Sequence, residues 1–373
     1  MHKITFFPIG NADCCRIDLE NGKKLLFDFA HYKIMENDDD LRIDLGKTIK
    51  EDLAEAERDY FDVVAFSHLD NDHIAAFGEY FYLEHAEKYQ DEDRIKINEL
   101  WVPAEVILES DLSGDARILR QEARYRLKKG SGIRVFSRPE LLKEWLVSEG
   151  INPVLRANLI TDAGSIVPNF QKLTDGIELF VHSPFAKRVD DNILDRNKDS
   201  LVFHITFLSG LKETKFFYVG DTECGILADI VNITNYHQRG ERLKWDIFDI
   251  PHHCSYLALS EEKGDDKTEP IEEVQWLLDQ GSNHGILVSC SKPIPNNDDD
   301  NQPPHRQAAK CYKECATAID GEFRVTMEFP KKSKPSPMVI EIDSNGASVK
   351  KVITSGGLSA ISRPAPRAGV SIE

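Results

Sequence analysis

The sequence predicts an α/β protein, and three observations support that fold class. Strand-like runs of β-branched and aromatic residues occur in both halves of the chain. Segments with helical spacing of apolar residues lie between them. The run at residues 63–65 ends in a polar cluster and then an apolar segment, which predicts a strand, a loop and a helix. Two β-rich halves with helices agree with two sheets packed between helical layers.

The predicted elements are short strands with helical stretches between them. Asn21-Gly22 between two apolar runs is a strong signal of a hairpin. Two stretches, 31–60 and 103–160, are expected to be helical insertions. The predicted helices cover residues 47–58 and 75–89, and the predicted strands are 4–7, 15–19, 24–29, 63–65, 99–102, 177–181, 201–203, 215–219, 246–250, 286–290 and the hairpin 339–349.

Length and composition favour one elaborated domain, residues 1–353, followed by a disordered tail at 354–373 that is rich in Gly, Ser and Pro. A chain of 373 residues with 41% hydrophobic content can bury a large core. No apolar run reaches the roughly 18 residues of a membrane span, so we expect a soluble, cytoplasmic protein. The seven cysteines include no Cys-x-x-Cys pair, which argues against a disulfide scaffold or a zinc knuckle.

The densest group of metal-binding side chains follows the strand at 63–65. His68, Asp70, Asp72 and His73 lie close together in one predicted loop. Proteins of the α/β class tend to place their chemistry at the carboxyl ends of strands. Imidazole and carboxylate suit Zn, Fe or Mn. The alternative is a hydrophilic loop whose acids cap the next helix, but the density of ligands favours a metal site.

This stretch resembles the His-x-[His/Asp]-x-Asp-His motif of the metallo-β-lactamase superfamily. The version with Asp70, Ser-His-x-Asp-x-Asp-His-Ile, is most similar to the hydrolase domain of the ComEC-type competence proteins and their stand-alone relatives. Four further stretches resemble that family in the same order, so the resemblance spans roughly residues 4 to 350. It implies an αββα sandwich, the metallo-β-lactamase fold, with the helical insertions named above.

The resemblance also implies a centre with two metal ions. Asp221, in the strand ending Val-Gly-Asp, is expected to bridge the ions. His182 follows a predicted strand where many superfamily members place a ligand. Adjacent histidines at a strand end are not expected to point the same way, so His253 is taken for metal and His252 for the leaving group. The implied metal ligands are His68, Asp70, Asp72, His73, His182, Asp221 and His253.

Further roles follow from the same resemblance. The implied catalytic residues are Asp72, His252 and His305. Lys198 and Ser200 lie in a stretch similar to the family's Asn-x-x-Ser-Leu-Val and are placed near the substrate. Asp13 and Asp28 match family acids and are expected to order loops beneath the metals rather than bind them. Cys254 replaces a family glycine, so the turn must avoid positive φ or accept strain.

A basic patch is predicted in an otherwise acidic chain. The net charge of −18 opposes non-specific binding to nucleic acid. Arg117, Arg120, Arg124 and Lys128 nevertheless fall at helical spacing on one face, where they would contact phosphates. A solvated helix face is an equally weighted alternative.

These patterns predict a metal-dependent hydrolase that uses a metal-bound hydroxide, with a phosphodiesterase or nuclease favoured. Two divalent ions are expected, with Zn favoured and Mn as the alternative. A hydrolase of a small ester, lactone or nucleotide is the second hypothesis, and a non-catalytic interaction module with structural metals is the third. Nucleic acid or another phosphodiester is the expected partner, no membrane is expected, and a protein partner or oligomer is left open.

Overall fold

The computed structural model describes residues 1–137, 139–185, 196–197 and 199–351. The predicted tail at 354–373 lies outside these residues. The strands are β1 (His2–Phe6), β2 (Cys15–Asp18), β3 (Lys24–Phe27), β4 (Tyr60–Ala65), β5 (Lys96–Pro103), β6 (Ile133–Phe136), β7 (Ile160–Thr161), β8 (Ile177–Ser183), β9 (Val202–Ser209), β10 (Lys212–Val219), β11 (Trp245–Asp249), β12 (Gly281–Ser289), β13 (Glu322–Val325), β14 (Met338–Asp343) and β15 (Gly346–Val349). The helices are α1 (Leu45–Glu55), α2 (Asn71–Ile74), α3 (Phe77–Tyr80), α4 (Ala104–Leu108), α5 (Gly114–Lys129), α6 (Pro139–Ser148), α7 (Lys172–Asp175), α8 (Cys224–Tyr236), α9 (Glu272–Leu278) and α10 (Arg306–Ala318).

The strands form two sheets that face each other. Within the described chain, the first sheet has the order β15-β14-β1-β2-β3-β4-β5-β6-β7 and the second β13-β12-β11-β10-β9-β8. Aromatic residues from both sheets meet in the core between them, for example Phe6 with Phe216 and Phe27 with Phe203, each pair with ring centroids 6.0 Å apart. The two sheets therefore bury their facing sides against each other, as in other stacked sheets.

Helices cover the outer face of each sheet. Leu45 and Ile49 of α1 and Leu119 of α5 pack in a core cluster on the outside of the first sheet. Leu227 of α8 and Tyr312 of α10 pack in a second cluster outside the second sheet. The layer order is helix, sheet, sheet, helix, which confirms the predicted αββα sandwich. None of the helices in the described part of the chain is long and apolar enough to span a bilayer.

The structure corrects two of the predicted elements. Residues 75–89 do not form one helix, because Ala76 has a left-handed backbone with φ of 67°, and it is followed only by the short α3 and, at Glu87–Tyr89, one turn of 3-10 helix. The stretch 103–160 holds α4, α5 and α6, but it also contributes β6 and β7, which extend the first sheet in parallel. That insertion is therefore part of the sandwich as well as a helical cover.

Candidate metal centre

Side chains from both sheets converge at one edge of the sandwich. The loop after β1 brings Asp13, the short helix α2 after β4 carries Asp72 and His73, and the segments after β10 and β11 bring Asp221 and His253. His73 Nε2 lies 3.3 Å from Asp221 Oδ1 and 3.7 Å from Asp13 Oδ2. His253 Nε2 lies 2.9 Å from Asp72 Oδ2 and 3.8 Å from Asp221 Oδ2. Ligand atoms that each lie about 2.1 Å from one ion are separated by such distances.

His68 adds a second group of ligand atoms, which it forms with Asp72 and His73. The side chain of His68 is fully buried, and its Nε2 lies 3.6 Å from Asp70 Oδ2 and 4.0 Å from Asp221 Oδ2. Asp221 therefore faces both groups, as a bridging carboxylate would.

The polar atoms at the centre fit a cation. In the described part of the chain, His68 Nε2 is buried without a hydrogen-bond partner, and the buried His73 Nε2 and Asp221 Oδ1 lie 3.3 Å apart without the geometry of a hydrogen bond. A buried polar atom without a partner is costly. A divalent ion bound by these imidazole and carboxylate atoms would satisfy them, and this donor set is one that Zn and Mn accept.

Asp28 lies beneath the centre and orients His73. Its carboxylate is fully buried and accepts hydrogen bonds from His73 Nδ1 at 2.9 Å, from the Tyr218 hydroxyl at 2.8 Å and from the Ser67 hydroxyl and N–H at 2.7 Å each. A histidine that donates through Nδ1 presents Nε2 to a metal. These contacts agree with the prediction that Asp28 orders the loop rather than binds metal.

Gly220 allows the end of β10 to approach the metal-binding loop. A Cβ atom at this position would overlap Ser200 Oγ and would lie 3.0 Å from Ser67 Cβ. The absence of a side chain therefore lets Asp221 lie next to His68, which is the role that the motif predicted for the glycine.

Both histidines of the pair after β11 point at the same carboxylate. His252 Nε2 lies 3.9 Å and His253 Nε2 lies 3.8 Å from Asp221 Oδ2. The expectation that they point apart was wrong, because His252, His253 and Cys254 all have positive φ, between 50° and 66°. Side chains alternate only along extended backbone, and this turn is left-handed. The turn thus accepts the strain at Cys254 that the missing glycine implies.

The carboxylates of the centre favour the charged forms of His73 and His253. Burial acts to lower the pKa of His253, but the carboxylates of Asp221 and Asp13 outweigh it and raise that pKa to about 10. The pKa of His73 is likewise raised well above its ordinary value, because Asp221 and Asp28 outweigh burial. Burial raises the pKa of Asp13 to about 6. By contrast, burial lowers the pKa of His68 to about 4.

We expect metal binding at pH 7 to release about two protons per chain, because His73 and His253 must lose theirs to bind an ion. Metal affinity should therefore rise as the pH rises from 7 towards 10. Calorimetric titration of the metal-free chain with Zn²⁺, in buffers of different ionisation enthalpy, measures the number released. His253→Ala should reduce it by about one. Binding without proton release in wild type would contradict the charged state of these histidines.

Asp13 is a possible ligand that the sequence interpretation assigned to a supporting role. Its carboxylate joins His73, Asp221 and His253 in one group of ligand atoms. The backbone N–H of Asp13 donates to Asp72 O at 3.1 Å, which brings its loop across the centre. The match of Asp13 to an acid of the resembled family was a signal that it lies near the metals. No local sequence pattern, however, predicts that its loop crosses the centre.

His182 was predicted to bind metal, but the structure does not bring it to the centre. Its Nε2 lies 3.0 Å from Arg242 O and its Nδ1 lies 3.4 Å from Thr234 Oγ1. Leu179 and Val181 of β8 face the core between the sheets, so His182 points to the opposite side, towards α8. There it lines a cleft of about 410 Å³ and its pKa is lowered to about 4 by burial.

Two of the other predicted catalytic and substrate-binding residues, His305 and Ser200, are buried. His305 begins α10 and is buried, with Nε2 3.1 Å from Asn301 O and Nδ1 accepting the Tyr256 N–H at 3.3 Å, so it supports the turn that carries the two histidines. Ser200 is fully buried behind Gly220 and therefore does not face a substrate. Lys198 lies outside the described residues.

Most side chains of the predicted basic patch form hydrogen bonds or ion pairs with other residues of this chain. Arg120 donates to Glu109 O and Arg124 donates to Ile107 O, so both cap the end of α4. Lys128 pairs with Glu149 at 2.6 Å. Arg117 is exposed on the same helix. The spacing on one face was right, but three of the four side chains satisfy local acceptors rather than form an open phosphate track.

Several solved structures are similar to this chain. A metal-dependent hydrolase from Parabacteroides distasonis has 11% identity and a TM-score of 0.34, and the match covers 86% of this chain and 92% of that one. A long-form RNase Z from yeast has 13% identity and a TM-score of 0.37, with 87% and 40% covered. A class B3 di-zinc metallo-β-lactamase from an Alaskan soil metagenome has 10% identity and a TM-score of 0.30, with 85% and 91% covered.

No family model matches the chain, and the curated proteins contain no match to it. The identities and TM-scores of the solved structures are low, so those likenesses leave the activity open.

Proposed function

We propose that this chain is a metal-dependent hydrolase of the metallo-β-lactamase superfamily and that it cleaves a phosphodiester, as a nuclease or phosphodiesterase does. The observation that carries the proposal is the convergence of His68, Asp72, His73, Asp221 and His253 at the edge shared by the two sheets. The similarity of the motifs to the ComEC-type hydrolase domain supports the choice of a phosphodiester.

The ligand set would hold two divalent ions, with Zn favoured and Mn as the alternative. Asp13, His73, Asp221 and His253 form one group of ligand atoms, His68 and Asp72 form the other with His73, and Asp70 lies beside His68. Divalent ions bound here would lower the pKa of a water molecule and polarise a phosphoryl oxygen.

The protein's own residues then have distinct tasks. Asp28 keeps His73 Nε2 directed at the centre. Asp72, whose Oδ2 lies 2.9 Å from His253 Nε2 within the ligand cluster, would take a proton from the attacking water. His252 retains 21% exposure of its side chain beside Asp221, so it is placed at the open side, where it can give a proton to the leaving oxygen.

A second candidate is a hydrolase of a small ester, lactone or nucleotide. The observation that favours it is the internal use of Arg120, Arg124 and Lys128, which leaves no long basic track on α5. The net charge of −18 points the same way, because a short ligand needs little neutralisation of phosphates.

An assay of the metal-loaded chain on four substrates separates these functions. We expect turnover of bis(p-nitrophenyl) phosphate, and of a single-stranded oligonucleotide if the enzyme is a nuclease, with loss under a chelator and recovery with Zn²⁺ or Mn²⁺. Turnover of a lactone or a small carboxylic ester, but of neither phosphodiester, would replace the first candidate by the second. Metal binding without any turnover would favour the non-catalytic module.

The salt dependence of oligonucleotide binding adds a sharper test of the nuclease. A strand that neutralises several basic residues should lose affinity with a slope of about 0.7 per phosphate. Arg117→Glu should reduce that slope only if the exposed arginine of α5 contacts the strand. An unchanged slope would mean that this helix face is solvated. In either case, Arg117→Glu should leave the turnover of small phosphodiesters unchanged.

A further inference from the structure

Asp70 uses its two carboxylate oxygens for different partners. Oδ1 lies 2.6 Å from a terminal nitrogen of Arg196, and Oδ2 lies 3.6 Å from His68 Nε2. The second distance is one that two ligands of the same ion have. The carboxylate therefore faces the centre with one oxygen while a guanidinium holds the other.

Arg196 is itself fixed from behind. Its Nε and second terminal nitrogen donate to the two carboxylate oxygens of Glu109 at 3.1 and 2.6 Å. The backbone carbonyl of Glu109 accepts a hydrogen bond from Arg120 at 2.7 Å. A planar guanidinium bound bidentately has little rotamer freedom left. The orientation of Asp70 is thus connected through Arg196 to the packed end of α4.

Arg196 gives the Asp70 carboxylate a fixed orientation, which the position of Asp70 alone does not provide. The side chain is 38% exposed and makes no capping hydrogen bond at the start of α2, although it occupies the N-cap position. An exposed carboxylate that nothing holds would sample several rotamers, and ordering it would weaken metal binding. Partners that fix the second oxygen of a ligating carboxylate commonly contribute tenfold to hundredfold to metal affinity.

We propose that Arg196 is a positioning residue that holds Asp70 as a metal ligand at the His68 end of the centre. This inference rests on the proposed metal-binding function and extends it to a residue that no motif marks. Arg196 acts through Asp70, and it leaves the group of Asp13, His73, Asp221 and His253 unaffected.

Titration of the metal-free chain with Zn²⁺ alone tests the assignment without any substrate. Wild type should show two binding events, and Arg196→Met should weaken one of them by roughly tenfold to hundredfold while the other stays unchanged. Arg196→Lys should recover part of the loss, because an ammonium can still donate to Asp70 but cannot grip both oxygens of Glu109. Melting curves of the metal-free variants separate this effect from loss of the fold.

A matched control is Arg58→Met, which removes a similar ion pair, to Asp62 at 2.7 Å. This pair lies near the start of β4, at the end of the strand away from the centre. Arg58→Met should leave both binding events unchanged. In an Asp70→Ala background, Arg196→Met should produce no further weakening, because the two residues act in series.

Four results would overturn the inference. Tighter binding in Arg196→Met would show that the guanidinium competes with the metal rather than supports its ligand. Equal binding by wild type and variant, or a further loss in the Asp70→Ala background, would show that Arg196 does not act through Asp70. Failure of wild type to bind any Zn²⁺ would overturn the proposed function as well, so the two failures are distinguishable.

Discussion

Asp221→Ala is expected to lose at least one metal ion and to reduce hydrolysis by about a thousandfold or more. The carboxylate faces His68, His73 and His253, so its removal takes one ligand from both ends of the centre. Elemental analysis after dialysis, together with turnover of bis(p-nitrophenyl) phosphate, measures the two losses.

A matched control for this variant is Asp246→Ala. Asp246 accepts the Lys215 N–H at 2.7 Å near the start of β11, away from the end of that strand that carries the histidines. It should bind metal and turn over substrate like wild type. Full metal content and full turnover in Asp221→Ala would remove the bridging carboxylate from the proposal.

Asp28→Ala is expected to have the largest effect on stability, with a loss of about 3–5 kcal/mol in the free energy of unfolding. The substitution leaves the buried donors of Ser67, His73 and Tyr218 without their acceptor. It also puts Ala at a left-handed position, since Asp28 has φ of 56°. Urea unfolding of the metal-free proteins measures the loss.

Two companion variants separate the contributions. Tyr218→Phe removes a single hydrogen bond and should cost only about 1 kcal/mol. Asp28→Asn keeps an acceptor and tolerates the left-handed backbone, so it should be less destabilising than Asp28→Ala. If all three variants unfolded at the urea concentration of wild type, Asp28 would not be the structural support of the centre.

The fold and the central motif could be predicted because their signals are local. The residues from His68 to His73 lie in one short segment after a buried strand, a loop that leads into α2, and the glycine before Asp221 marks where two chain segments meet. These stretches also occur along the chain in the same order as in the resembled family, and that order linked them into one pattern. Such patterns record which residues reach an edge of the sheet.

The errors came from properties that neighbours in space decide. The alternation of Leu179 and Val181 places His182 on the outer face of its sheet, and that face was known only once the sheet pairing was. Arg120 and Arg124 have the periodicity of an open basic face, but carbonyls of a different helix accept their hydrogen bonds. Asp13 reaches the centre through a backbone hydrogen bond between loops, which no sequence period encodes.

Because the ligands come from both sheets, a bound ion would also affect how the protein unfolds. Asp13 and His73 follow strands of the first sheet, and Asp221 and His253 follow strands of the second. An ion bound by all four would be a cross-link between the sheets, and it would close loops of chain in the way that a disulfide does. The two halves of the sandwich could then separate only after the ion had left, so metal occupancy would set the lifetime of the folded chain as well as its chemistry.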